Sequence, residues 1–223
     1  MRSIQHSTYQ FLEELKGNNN RDWFTENKPV YQVAHANLAE FMEGLIVEMK
    51  KIDNIENESG KKTLFRIYRD VRFSQNKSPY KTHFGASLTR ATRWLRGGYY
   101  LHFEPGSTFI ACGFWQPNKD DLKLIRDELA HDAKPLRAIL EDSNFKKVFP
   151  ELKGETVKTA PRGFDKEHPN IDLIRHKSFY FEHSYTDEEV LSEDFVFDVT
   201  KTFLAVRPFF DYMSEVLTRH FEE

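Results

Sequence analysis

Apolar and polar positions change their spacing twice along this chain, near Gly60 and again past Pro117. Before Gly60 the apolar residues recur every three to five positions, as on a helix; then they alternate, as on a strand; after Pro117 the helical spacing returns. The first stretch predicts a helix with Phe11, Leu12 and Leu15 on its apolar side, capped by Ser7 or Thr8 and left through Gly17 in the left-handed conformation. Asn20 is placed to cap a short turn carrying Trp23 and Phe24. Pro29 suits the first turn of a long helix with Val30, Val33, Leu38, Phe41, Leu45, Met49 and Ile52.

From Leu64 the apolar residues are β-branched or aromatic and turns punctuate them, which predicts strands. In a first strand Phe65, Ile67, Val71 and Phe73 would share a face with Arg69, and Arg66, Tyr68, Asp70 and Arg72 would share the other. A second is expected over Phe84 to Leu88. "GYYLHFE" and "TFIACGFW" form a hairpin across Glu104-Pro105-Gly106-Ser107, where Pro second and Gly third match a type II turn. Helices follow around Leu122, Ile125 and Leu129 and around Leu136, Ile139 and Leu140; a strand over Lys177 to His183 rejoins the sheet. A closing helix from Asp194 to about Phe221 is interrupted at Pro208, which removes an intrahelical bond. The order predicts an α+β fold, a mostly antiparallel sheet from the central region packed by N-terminal and C-terminal helices, in a single domain over residues 1–223.

Composition adds that the apolar content is carried by rings: twenty Phe, nine Tyr and three Trp in 223 residues. No apolar run approaches the roughly 20 residues that span a bilayer, and the first residues lack a long apolar leader, so the expectation is a soluble, cytoplasmic protein with no membrane partner. The single cysteine, Cys112, excludes an internal disulfide and a cysteine zinc site, and its apolar strand neighbours favour packing over nucleophilic chemistry.

Charge changes the picture more. Between Lys61 and Arg96 ten Lys or Arg face one acid, Asp70, a local +9 inside a chain of net −3; the remainder carries −12. Such a segment is neutralised by the protein's own acids or reserved for an external anion. Arg66 and Arg72 on one strand face, followed by a loop with Lys77, Tyr80, Lys81 and His83, form a donor-rich surface that suits phosphate or carboxylate oxygens. Arg69, on the apolar face, is expected either to bind a ligand or to have a structural partner, since a buried guanidinium without one is costly. In "TAPRGFDKEHPNIDLIRHK" Arg162, His168 and Arg175 offer further donors for the far side of such a site. His102 shares a strand face with Tyr100 and Glu104 and is the one acid-base candidate. His102 and Glu104 are only a pair, and no spacing here matches a known metal motif, so neither metal nor cofactor is assigned. GxSxG, GxxxxGK[ST] and GxGxxG are missing, and no reaction follows from the sequence.

The leading expectation is therefore an anionic, phosphate-bearing small molecule bound at a basic, aromatic-edged sheet surface. The alternatives are single-stranded nucleic acid, which overall acidity disfavours, and an acidic protein docked on the basic strip. "NNNRDWFTENKPVYQ", "FRIYRDVRFSQNKSPYKTHFG", "GGYYLHFEP", "GFWQPNKDDLKLIR" and "APRGFDKEHPNIDLIRHKSF", in that order, resemble the domain-of-unknown-function family 2461. The resemblance covers nearly the whole chain and implies one domain, with no established activity, substrate or catalytic residue to carry over. It also implies that the central basic segment and the "PRGFDKEHP" loop are defining motifs, which suggests a joint site.

Overall fold

The computed structural model describes residues 3–221, and among them eleven helices and four strands form an α+β fold. The helices are α1 (His6–Gly17), α2 (Arg21–Glu26), α3 (Lys28–Met49), α4 (Gly60–Thr63), α5 (Lys119–His131), α6 (Lys134–Glu141), α7 (Ser143–Val148), α8 (Ile171–Ile174), α9 (Asp187–Leu191), α10 (Phe195–Ala205) and α11 (Arg207–Thr218). The strands β1 (Phe84–Thr89), β2 (Gly98–Phe103), β3 (Thr108–Phe114) and β4 (Phe179–Tyr185) make one antiparallel sheet in the order β1-β2-β3-β4. Two compact units divide the chain. One takes the chain up to Thr89 with Tyr100–Ile110 and Ser184–Lys201; the other takes Arg90–Tyr99, Ala111–His183 and the chain from Thr202.

In the first unit rings carry the core. Phe24 stacks on Tyr80 with centroids 3.9 Å apart, Phe11 meets Phe84 at 6.3 Å, and Phe41 lies between Phe103 at 5.8 Å and Phe195 at 5.4 Å. Asn20 accepts from the Trp23 amide and caps α2 as expected. α1 departs from expectation at both ends. It starts after Gln5 without a side-chain cap, because the Thr8 hydroxyl donates to Asn37 on α3 instead. It also ends on Asn18 at φ −131°, so Gly17 makes no left-handed exit. On α3, Pro29 lies in the first turn, but Val33 is 59% exposed and Val30 is exposed too; the buried stripe runs through Ala34, Leu38, Phe41, Met42, Leu45, Ile46 and Met49. α4 lies so close to α3 that a Cβ on Gly60 would stand 2.3 Å from the Ala39 carbonyl oxygen, so only glycine fits there.

The largest departure is the segment over 64–73, which is no strand of the sheet. It makes two isolated antiparallel bridges, Leu64 with Ala86 and Tyr68 with Tyr80, and then turns away, leaving Phe73 96% exposed. Polar turn-forming residues from Ser74 to Ser78 close the loop on itself before a regular ladder can extend. The hairpin matches expectation: Gly106 has φ +72° and the Ser107 amide donates to the Glu104 carbonyl at 2.9 Å.

In the second unit Phe181 packs edge-on to Phe145 at 5.0 Å and to Phe209 at 4.9 Å, and Tyr99 meets Phe203 and Phe210. Asn118 caps α5 by accepting from the amides of Asp120 and Asp121. The expected break at Pro208 falls between α10 and α11, with Pro208 in the first turn of the latter. Cys112 is fully buried and its thiol is pushed well above its usual range by burial, as a packing residue requires.

Candidate functional site

Strand alternation decides which side chains leave the core. On β2, Tyr99, Leu101 and Phe103 are buried while Tyr100 and His102 lie on the opposite face. Glu104 follows on that face at the end of the strand, and Phe109 of β3 joins it, stacked on the His102 ring with centroids 4.6 Å apart. β1 brings the element that sequence spacing does not reveal. His83, the residue before β1, reaches the same face with its ring centroid 4.0 Å from that of His102, and two residues on Gly85 lies against the Tyr100 hydroxyl. The antiparallel register thus sets His83 beside His102.

The polar atoms of this cluster are organised. The Tyr100 hydroxyl lies 3.1 Å from His102 Nδ1, His102 Nε2 lies 3.2 Å from Glu104 Oε2, and the Thr82 hydroxyl donates to Glu104 Oε1 at 3.1 Å. Lys16 Nζ stands 4.0 Å from the same carboxylate. His102 and Glu104 side chains are only 13% and 21% exposed. His83, His102 and Glu104 each offer a ligand atom, and these atoms lie within 4.8 Å of one another. Burial first, and then the neighbouring His102, push His83 down to about 4, so its imidazole is neutral at neutral pH. What the sequence presented as a pair is a trio of donors.

Beside the trio lies a cationic, aromatic edge. The Lys81 ammonium sits over the Phe65 ring at 5.7 Å, and Phe65 stacks on Tyr100 at 6.1 Å. Lys81 is held below its usual range by burial and by the charge of Arg66, which is exposed. Among the described residues, no carboxylate lies within ion-pair distance of Lys81 or Arg66.

Most of the other central cations have partners within the fold, whereas Lys61 and Lys62 are exposed on α4. Arg69 donates through its guanidinium to the Ser78 carbonyl at 3.1 Å and through its amide to the Pro79 carbonyl at 2.9 Å, so it has a structural partner and fastens the loop. Arg72, 77% exposed, grips its neighbour Asp70 at 2.7 Å, and that pairing holds Asp70 below the usual carboxylate range. Lys77 Nζ donates to the Val71 carbonyl at 3.1 Å. Tyr80 is buried, stacked on Phe24 and bonded through its backbone to Asn19, which makes it a core residue. In the second unit Arg90 is buried against Asp211, Ser214 and the Phe210 ring, Arg96 pairs with Asp121, and Arg93 lies over Trp94. Arg162, His168 and Arg175 belong to that unit as well. Arg162 is exposed, His168 Nδ1 accepts from the Asn170 amide, and the Arg175 carbonyl accepts from the Val157 amide. Of the expected ligand residues Lys81 and His83 are assembled on one face, with Arg66 at the edge, and the acid-base candidate His102 lies on the same face.

A search of curated proteins returns no match, and a search of solved structures returns none either. One family model matches, described as "Conserved hypothetical protein (DUF2461)", over residues 7–212. With that match running through both units, the chain belongs to the DUF2461 family of conserved hypothetical proteins.

Proposed function

We propose that this protein binds an anionic small molecule, of the phosphate- or carboxylate-bearing class, on the outer sheet face edged by Phe65, Lys81, His83 and Tyr100. The observation that carries this reading is the state of Lys81: a half-buried ammonium above an aromatic face, next to a second cation, with no carboxylate in ion-pair reach among the described residues. A desolvated charge of this kind raises the free energy of the unliganded protein, and an external anion offsets it. Arg66 supplies a fork for bidentate contact with phosphate or carboxylate oxygens. Phe65, Tyr100 and Phe109 form the apolar part of the surface, against which the body of a ligand can lie.

A thermal-shift screen with inorganic phosphate, pyrophosphate, nucleotides, sugar phosphates, dicarboxylates and short oligonucleotides, at two salt concentrations and with a chelator present, tests this. The expected result is stabilisation by a subset of small anions, lost in an Arg66→Ala, Lys81→Ala double variant that still folds. Absence of stabilisation by every small anion overturns the reading. Strong oligonucleotide binding that falls steeply with salt replaces it with single-stranded nucleic-acid recognition.

A further inference from the structure

We propose that His83, His102 and Glu104 form a binding site for a divalent first-row transition-metal ion. Two imidazoles and one carboxylate make a donor set that suits such ions and leaves further coordination positions for water or for oxygens of an anion. An ion bound at about 2.0–2.2 Å holds adjacent donors roughly 3.0–3.5 Å apart. His102 Nε2 and Glu104 Oε2 already have that spacing at 3.2 Å, and the remaining separations are no more than 4.8 Å, which a bound ion would have to shorten.

The surroundings of the donors strengthen the assignment, because metal-binding histidines and carboxylates are themselves held by outer partners. With Nε2 on the ion, His102 presents Nδ1–H to the Tyr100 oxygen, 3.1 Å away. Glu104 keeps one oxygen for the ion while the other accepts from Thr82. Phe109 stacked on His102 fixes the ring plane and excludes water from one side. A mere sheet-face hydrogen bond between His102 and Glu104 would need neither His83 at 4.0 Å nor the Thr82 contact. The site rests on these three donors alone and does not depend on the anion reading.

Titration of untagged, chelator-stripped protein with Co²⁺, in a buffer free of phosphate, reads the site through the visible d–d absorption of the bound ion. The expected result is one equivalent bound per chain, displaced by Zn²⁺. His83→Asn and Glu104→Gln should each weaken binding at least tenfold, and Tyr100→Phe, which removes only an outer partner, should weaken it about tenfold. Far-UV circular dichroism of each metal-free variant separates loss of the site from loss of the fold. If the wild-type spectrum stays that of the aqueous ion, or if both ligand variants bind as wild type does, the assignment is wrong. The wild-type result stands even where a variant fails to fold, and because the anion screen is run in chelator, each proposal fails separately.

Discussion

At the scale of single residues, the central arginines differ in their partners more than in their chemistry. Arg69 closes the 70–79 loop through the Ser78 carbonyl, whereas Arg72 meets the nearby Asp70 and the Phe73 ring in solvent. Arg69→Ala should therefore lower stability by about 1.5–3 kcal/mol in urea unfolding, the range for a hydrogen bond that involves a charged group. Arg72→Ala should leave the urea midpoint unchanged, because an exposed pair of this kind is screened and contributes little. His176 gives a prediction in pH. Burial, the dominant cause, holds its imidazole below the ordinary 6.5, outweighing its bond to the Ser178 carbonyl, so the unfolded chain binds its proton more readily than the folded one. Stability from this group is complete above pH 6.5 and falls as pH drops below it towards the folded value. The urea midpoint should be lower at pH 5.5 than at pH 7.5, and His176→Asn should shrink that difference; an unchanged difference would remove His176 from the explanation.

At the scale of elements, what was legible in the sequence depended on how local the deciding interaction is. The hairpin at Pro105-Gly106, the Asn20 cap and the break at Pro208 follow from residues within a few positions, and each is found. The face shared by Tyr100, His102 and Glu104 follows from strand alternation and is also found. The arrival of His83 beside His102 needs the register of β1 against β2, which no single stretch encodes, so a pair of donors was visible and the third was not. The segment 64–73 misled for the opposite reason. Its alternation is genuine strand pattern, yet the Arg69 and Lys77 contacts to loop carbonyls fold it back after two bridges. Contact between α3 and α4 was equally hidden, and it carries its own test. Gly60→Ala would push a methyl into the Ala39 carbonyl at 2.3 Å, and overpacking against backbone should cost about 1–3 kcal/mol in urea unfolding. Gly17→Ala, with open space at that position, should have no destabilising effect.

For the whole molecule, the question posed by a +9 segment in an acidic chain has a divided answer. Arg72, Arg90 and Arg96 meet the protein's own carboxylates, Arg69 and Lys77 meet loop carbonyls, and Arg93 lies on rings. Lys61 and Lys62 are exposed on α4, and Lys81 and Arg66 stand on an aromatic surface beside the His83, His102 and Glu104 donors, where on the proposed reading a bound anion would offset the charge of Lys81. An amide-resolved NMR titration of the chelator-treated protein with inorganic pyrophosphate tests that claim most directly. The account predicts saturable shifts concentrated at Phe65, Arg66, Lys81, His83, Tyr100 and His102, abolished in the Arg66→Ala, Lys81→Ala variant. No saturable shifts, or shifts centred on other residues, would contradict it.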